Sequence, residues 1–231
     1  MRKLLAIVSL AALPLAADDR SKETVSAAHT DRFNVSAAGT VRLDNSFGEV
    51  DIDGWDRPEV EVTTVRAAER FYNPKDRGRA QQRLDSVQIT SKQQANDVTI
   101  STAYPARNGI LHPLSRRSDV EITYKIHAPR DSKLVVRQNR GGLNVFDIAG
   151  DIHATVVNGQ ITLTLPAAGQ YAIDAQCTIG DVYSDFEGRE QRRQILGQEF
   201  DHPAAAPAAN LYLRARFGDI VIQKLHGPPT E

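Results

Sequence analysis

Gly142-Leu143-Asn144-Val145, Gly150-Asp151-Ile152-His153, Gly159-Gln160-Ile161-Thr162 and Ile179-Gly180-Asp181-Val182, four fragments spread over residues 142–182, share one grammar. Each carries a glycine, usually a polar residue, and then an apolar–x–apolar start to a strand. Glycine suits a tight corner because the backbone there needs a positive φ or a close approach that a side chain would obstruct. The glycines step by eight, nine and twenty-one residues, which fits a chain that turns, runs a short strand and turns again. The same unit stands at Phe47-Gly48-Glu49-Val50-Asp51-Ile52 and at Phe217-Gly218-Asp219-Ile220-Val221-Ile222. Repetition of one small unit at short spacing predicts a coil of stacked strands.

Working outward, period-two alternation of β-branched residues dominates the rest of the chain. Val60 and Val62, Val98 and Ile100, and the row Val120, Ile122, Tyr124 and Ile126 each alternate with polar residues. So do Leu134 with Val136, Ile161, Leu163 and Leu165, and Leu211, Leu213, Ala215 and Phe217. The fold class expected is therefore all-β: a single-domain β-solenoid, a β-helix-like coil of short strands. Ile152, Ile161, Leu163, Ile173, Ile179, Val182 and Ile220 are its expected inward residues. Residues 66–85 break the pattern; Lys75 to Leu84 predicts one short inserted helix, with Asn73 as its cap and Pro74 in its first turn. Loops are expected over 103–118 and over 187–210, the second mobile and interrupting the repeat.

The chain has 231 residues with 28 basic and 29 acidic side chains, a net charge of −1, which gives no basic excess for nucleic acid or an anionic membrane. The clusters Arg116-Arg117 and Arg189, Arg192, Arg193 read as solvated loops. Arg2 and Lys3, then the apolar Leu4 to Leu13 and Pro14 to Ala17, have the layout of a secretory signal peptide, too short for a transmembrane helix. The expected organisation is a signal peptide at 1–17, a lead-in at 18–37, the β-solenoid domain at 38–225 and a tail at 226–231. Cys177 stands alone and alternates in phase with Ile173 and Ala175, so it reads as a buried, inert thiol.

Phe47-Gly48-Glu49-Val50-Asp51-Ile52-Asp53-Gly54-Trp55 with Val60-Glu61-Val62, Val120 to Ile126 leading to Pro129, Leu134-Val135-Val136 and the glycine units from Gly142 to Asp181 together resemble the DUF4097-type adhesin-like family of exported bacterial proteins. The resemblance runs from about residue 38 to 225. It implies a β-helix-like or β-roll fold in an envelope or extracellular protein, and it brings no catalytic residues with it.

No catalytic, cofactor-binding or metal-ligating set stands out. The six histidines (His29, His112, His127, His153, His202 and His226) lack metal-ligand spacing. Asp44, Glu49, Asp51, Asp53 and Asp56 crowd one strand and its exits, and read as a solvated outer face rather than a calcium loop. Trp55 reads as the cap of a core end, with sugar stacking as the sharper alternative. The leading expectation is an exported, periplasmic or extracellular, non-enzymatic binding or structural module, with no cofactor and an envelope protein or glycan as partner. One rival is a carbohydrate-active enzyme using a row of Asp151, Asp181 and Asp219. Another is a sensor recruiting a partner at exposed edge strands near Val41 and Ile222.

Overall fold

The computed structural model describes residues 25–36, 38–68, 77–104, 120–192 and 196–225. The segment 1–17, Asn73 and Pro74, His112, Arg116-Arg117, Arg193 and His226 lie outside the described residues. In chain order the elements are β1 (Val25–Asn34), β2 (Thr40–Phe47), β3 (Glu49–Trp55), β4 (Glu59–Ala68), α1 (Arg77–Ser86), β5 (Gln88–Gln94), β6 (Asp97–Ala103), β7 (Val120–Pro129), β8 (Lys133–Arg140) and β9 (Leu143–Phe146). They continue with β10 (Ile152–Asn158), β11 (Ile161–Pro166), β12 (Tyr171–Ile179), β13 (Val182–Ser184), β14 (Arg189–Arg192), β15 (Gln198–His202), β16 (Ala209–Phe217) and β17 (Ile220–Leu225).

The described residues are all-β with one helix, and their strands form two mixed sheets that do not close into a barrel. One sheet runs β1-β4-β7-β3-β9-β11-β17-β13 and the other β14-β15-β12-β16-β10-β8-β2-β6-β5. Five times the chain finishes a strand in the nine-stranded sheet, turns at a glycine and starts a strand in the eight-stranded one: β2 to β3, β8 to β9, β10 to β11, β12 to β13 and β16 to β17. These two-strand units lie side by side in parallel register. Their alternating apolar residues point between the sheets and merge into one core that includes Leu43, Ile52, Val136, Val145, Ile161 and Leu213.

A column of glycines makes the corner. Gly48, Gly141, Gly159, Gly218 and Gly180 all have φ between +120° and +151°. The peptide N–H of Gly141 donates to the carbonyl of Asn158 at 3.0 Å, and that of Gly159 to Phe217 at 2.9 Å. Gly141, Gly159, Gly218 and Gly180 are each packed on the carbonyl of the glycine before them in the column, and Gly48 on that of Ile122: a Cβ on Gly159 would stand 2.0 Å from the oxygen of Gly141. Gln138, buried beside this column, donates its Nε2 to the carbonyls of Gly48 at 2.7 Å and Gly142 at 3.1 Å, bracing two adjacent corners.

Several expectations change. A simple coil would place each unit beside the next in sequence. Here the last unit, β16–β17, inserts between β10–β11 and β12–β13, so the C-terminal strands sit inside the stack. Ile222 in β17, between β11 and β13, and Val41 in β2, between β8 and β6, are buried in strands paired on both sides, and among the described residues the edges belong to β1, β13, β14 and β5. The stretch 187–210 holds the hairpin β14–β15, which pairs with β12 and extends the nine-stranded sheet. Residues 25–34, within the lead-in stretch, form β1 and pair with all of β4. Ile179 is 41% exposed: it precedes the corner glycine, where the backbone leaves its alternation, and it pairs with the equally outward Phe217. The other inward residues expected are buried.

The inserted helix forms where expected. Ala80 and Leu84, four residues apart and hence on one face, are fully buried. Arg66 from β4 donates its Nη1 to the carbonyls of Leu84 at 3.3 Å and Val87 at 3.4 Å, tying the helix end to the sheet. Among the described residues no helix is long and apolar enough to cross a membrane.

Candidate functional site

Parallel strands in register turn the outward positions of successive units into rows. On the outer face of the eight-stranded sheet, one row reads Lys125, Asp51, Asn144 and Thr162, and the next reads His127, Asp53, Phe146 and Thr164. These eight side chains line a groove of about 420 Å³ across β7, β3, β9 and β11. The volume falls at the lower end of the range of small-molecule sites. Asn144 donates its Nδ2 to Asp51 Oδ1 at 2.8 Å. The imidazole of His127 sits with Nδ1 3.8 Å from Asp53 Oδ2 and stacks on Trp55 at 5.1 Å with planes 20° apart. Phe146 stands 44% exposed beside Asp53, an apolar ring on an otherwise polar floor.

The outer face of the nine-stranded sheet is built differently. Arg214 donates Nη2 to Asp174 Oδ2 at 2.7 Å and Nη1 to the Asp174 carbonyl at 2.9 Å. Its guanidinium lies 3.6 Å from the ring centre of Tyr212, which His153 meets edge-on at 4.5 Å. Arg214 and Asp174 pair with each other here, and the Tyr212 ring, 39% exposed, lies between the Arg214 guanidinium and His153. A second hollow of about 470 Å³ is lined by Asp181, Tyr183, Asp185, Glu190, Arg192 and Gln198, among others.

The aspartate row does not assemble as a set of three. Asp181 and Asp219 follow corner glycines of adjacent units, and Asp181 donates its peptide N–H to Asp219 Oδ1 at 2.9 Å. Asp151 lies at the opposite turn, between β9 and β10, because Gly150 is no part of the positive-φ column. There Asp151 Oδ1 accepts the Asn210 peptide N–H at 2.9 Å and Oδ2 meets Lys133 at 3.2 Å. The bond from the Asn210 peptide N–H holds its carboxyl below the usual carboxylate range against the opposing effect of burial, and Lys133 adds a smaller pull in the same direction as the Asn210 bond. A general acid needs the reverse.

The carboxylates of the crowded strand also disperse. Asp44 belongs to β2 in the other sheet, Glu49 Oε2 accepts the Gly142 peptide N–H at 2.9 Å, and Asp56 lies 3.5 Å from Arg130. Among the described residues no group of histidine, cysteine and carboxylates is arranged to hold a metal. Trp55 donates Nε1 to the Glu59 carbonyl at 2.8 Å and has Arg57 4.9 Å over its ring, so it closes the strand end and backs His127. Cys177 is fully buried, and burial first, then the charge of Asp219, pushes its thiol up to about 12. Of the groove residues, sequence reasoning singled out Asp51, Asp53 and His127, and missed Phe146 together with the row that brings it beside them.

No family model and no curated protein matches the chain. Among solved structures, a "putative cell adhesion protein" from Clostridium sporogenes is 11% identical, covers 86% of this chain and all of its own, with a TM-score of 0.48. A "putative adhesin" from Bacteroides fragilis is 8% identical over 86% of this chain and 97% of its own, at 0.25. A "putative lipid binding protein" from Parabacteroides distasonis is 7% identical over the same shares, at 0.24.

Proposed function

We propose that this protein is an exported, non-enzymatic binding module of the cell envelope or its exterior. In this reading it is a solenoid-like stack of glycine-cornered units whose eight-stranded sheet offers its outer face to a ligand. The observation that carries the reading is the groove, in which an exposed ring and open hydrogen-bonding groups converge on a rigid floor of fully paired strands. Export is supported by the charged, then apolar, then small-residue order of residues 2–17. The non-enzymatic half is supported by periodicity: the groove side chains come from equivalent outward positions of successive strands, a surface suited to gripping rather than to one reacting bond.

Retention on isolated envelope material of the source cells tests this. Fluorescently labelled protein should bind saturably, Phe146→Ala should weaken binding about tenfold, and Tyr212→Ala on the opposite sheet should leave it unchanged. Equal retention of all three would overturn the assignment of binding to this face.

A further inference from the structure

We infer that the groove on the outer face of the eight-stranded sheet takes a short neutral saccharide, held between the Phe146 ring and the carboxylates of Asp51 and Asp53. The inference rests on the binding-module reading and adds the chemical class of its ligand. Three features of the groove select that class. Phe146 gives a flat apolar surface 44% exposed, the kind of platform on which the C–H face of a sugar ring packs. Around it Asp51 and Asp53 accept hydrogen bonds, Lys125 donates, and Asn144, Thr162 and Thr164 do both, which matches the mixed donor and acceptor character of vicinal hydroxyls. All of these come from strands paired on both sides, so the floor is fixed before the ligand arrives.

The same features disfavour the other ligand classes. An acyl chain would bury against one ring and a rim of carboxylates, hydroxyls and an ammonium, leaving polar groups desolvated. An extended peptide adding a strand needs unpaired backbone groups, and β7, β3, β9 and β11 have neighbours on both sides. A polyanion would meet Asp51 and Asp53 along the centre of the groove, with the single ammonium of Lys125 at one side.

The test uses the purified protein, isotope-labelled, against four neutral trisaccharides (of β-1,4-linked glucose, α-1,4-linked glucose, β-1,4-linked N-acetylglucosamine and mannose) and an acidic trigalacturonate. At least one neutral trisaccharide should bind at millimolar concentration and shift the amides of β3, β9 and β11, while trigalacturonate should not. Phe146→Ala and the isosteric Asp53→Asn should each weaken that binding about tenfold, with amide spectra that remain dispersed. Tyr212→Ala should leave it intact. Failure of every neutral trisaccharide, or binding that survives both groove variants, overturns the saccharide inference. If Phe146→Ala nevertheless loses envelope retention, the binding-module reading stands and only its ligand class falls; if retention is also unchanged, both fall.

Discussion

Replacing Gly159 by alanine places a methyl carbon 2.0 Å from the carbonyl oxygen of Gly141, at a position whose φ is +151°. Two costs follow. Holding a non-glycine residue in that backbone region takes about 1–3 kcal/mol. Making room at a packed carbonyl takes about 1–3 kcal/mol more, because the β10–β11 unit must move off β8–β9 or the corner must open. The sum, about 2–6 kcal/mol, is a large part of the roughly 5–15 kcal/mol that a domain has in total. A mid-range loss of about 4 kcal/mol lowers Tm by about 8–16 °C in a chain of this size. Gly78→Ala is the control: it lies in α1 with nothing within 4 Å of the added carbon, and helix propensity gains up to about 1 kcal/mol there. Urea unfolding of the two variants beside the parent measures both effects. A Gly159→Ala protein as stable as the parent would refute the stacked-corner reasoning, since neither the backbone angle nor the close approach could then be as described.

Three further outcomes are expected. Truncation after Ala208 removes β16 and β17 from the middle of the stack, with Leu211, Leu213, Ile220 and Ile222 alone contributing about 6–12 kcal/mol of burial. The truncated chain should show no cooperative unfolding by circular dichroism, whereas a coil stacked in sequence order would lose only its last turn and keep its transition. Cys177, with its thiol pushed up to about 12, should resist alkylation at pH 8 until the protein is unfolded by urea; prompt stoichiometric labelling of the folded protein would contradict its burial. Asp151 has a folded pKa below its unfolded value, so its contribution is present above the unfolded pKa of about 3.9 and is lost as pH falls through the folded one. The stability gap between the parent and Asp151→Asn should therefore be widest near neutrality and shrink on acidification, as followed by unfolding midpoints; a gap that grows in acid would contradict the assigned bonds.

Local physics was legible in the sequence, and partner choice was not. Alternation at Ile161, Leu163, Ile173 and Cys177 fixed which side chains face inward, because a strand has period two whatever lies beside it. The glycines at 48, 159, 180 and 218 announced corners for an equally local reason. Alternation does not say which strand lies next to which, and that is what placed β16–β17 between earlier units and buried Val41 and Ile222. Asp151 was misplaced because Gly150 and Gly180 look alike in sequence while their backbones turn differently. Phe146 escaped notice because its neighbours in the groove, Asp53, His127 and Thr164, become neighbours only through the parallel register of four strands. Residues 198–202 carry one inward pair, Gln198 and Phe200, too short a signal to mark β15 inside a polar stretch.

Site-specific photo-crosslinking in intact source cells distinguishes a ligand-binding groove on the eight-stranded sheet from binding elsewhere on the protein. A photoreactive side chain at Thr164 in the groove and one at Thr155 on the outer face of the nine-stranded sheet are compared after irradiation. A ligand held in the groove gives an envelope adduct at position 164 that is absent from position 155 and is lost when Asp53→Asn is added. Adducts of the same kind and amount at both positions, or an adduct confined to position 155, would contradict binding in the groove.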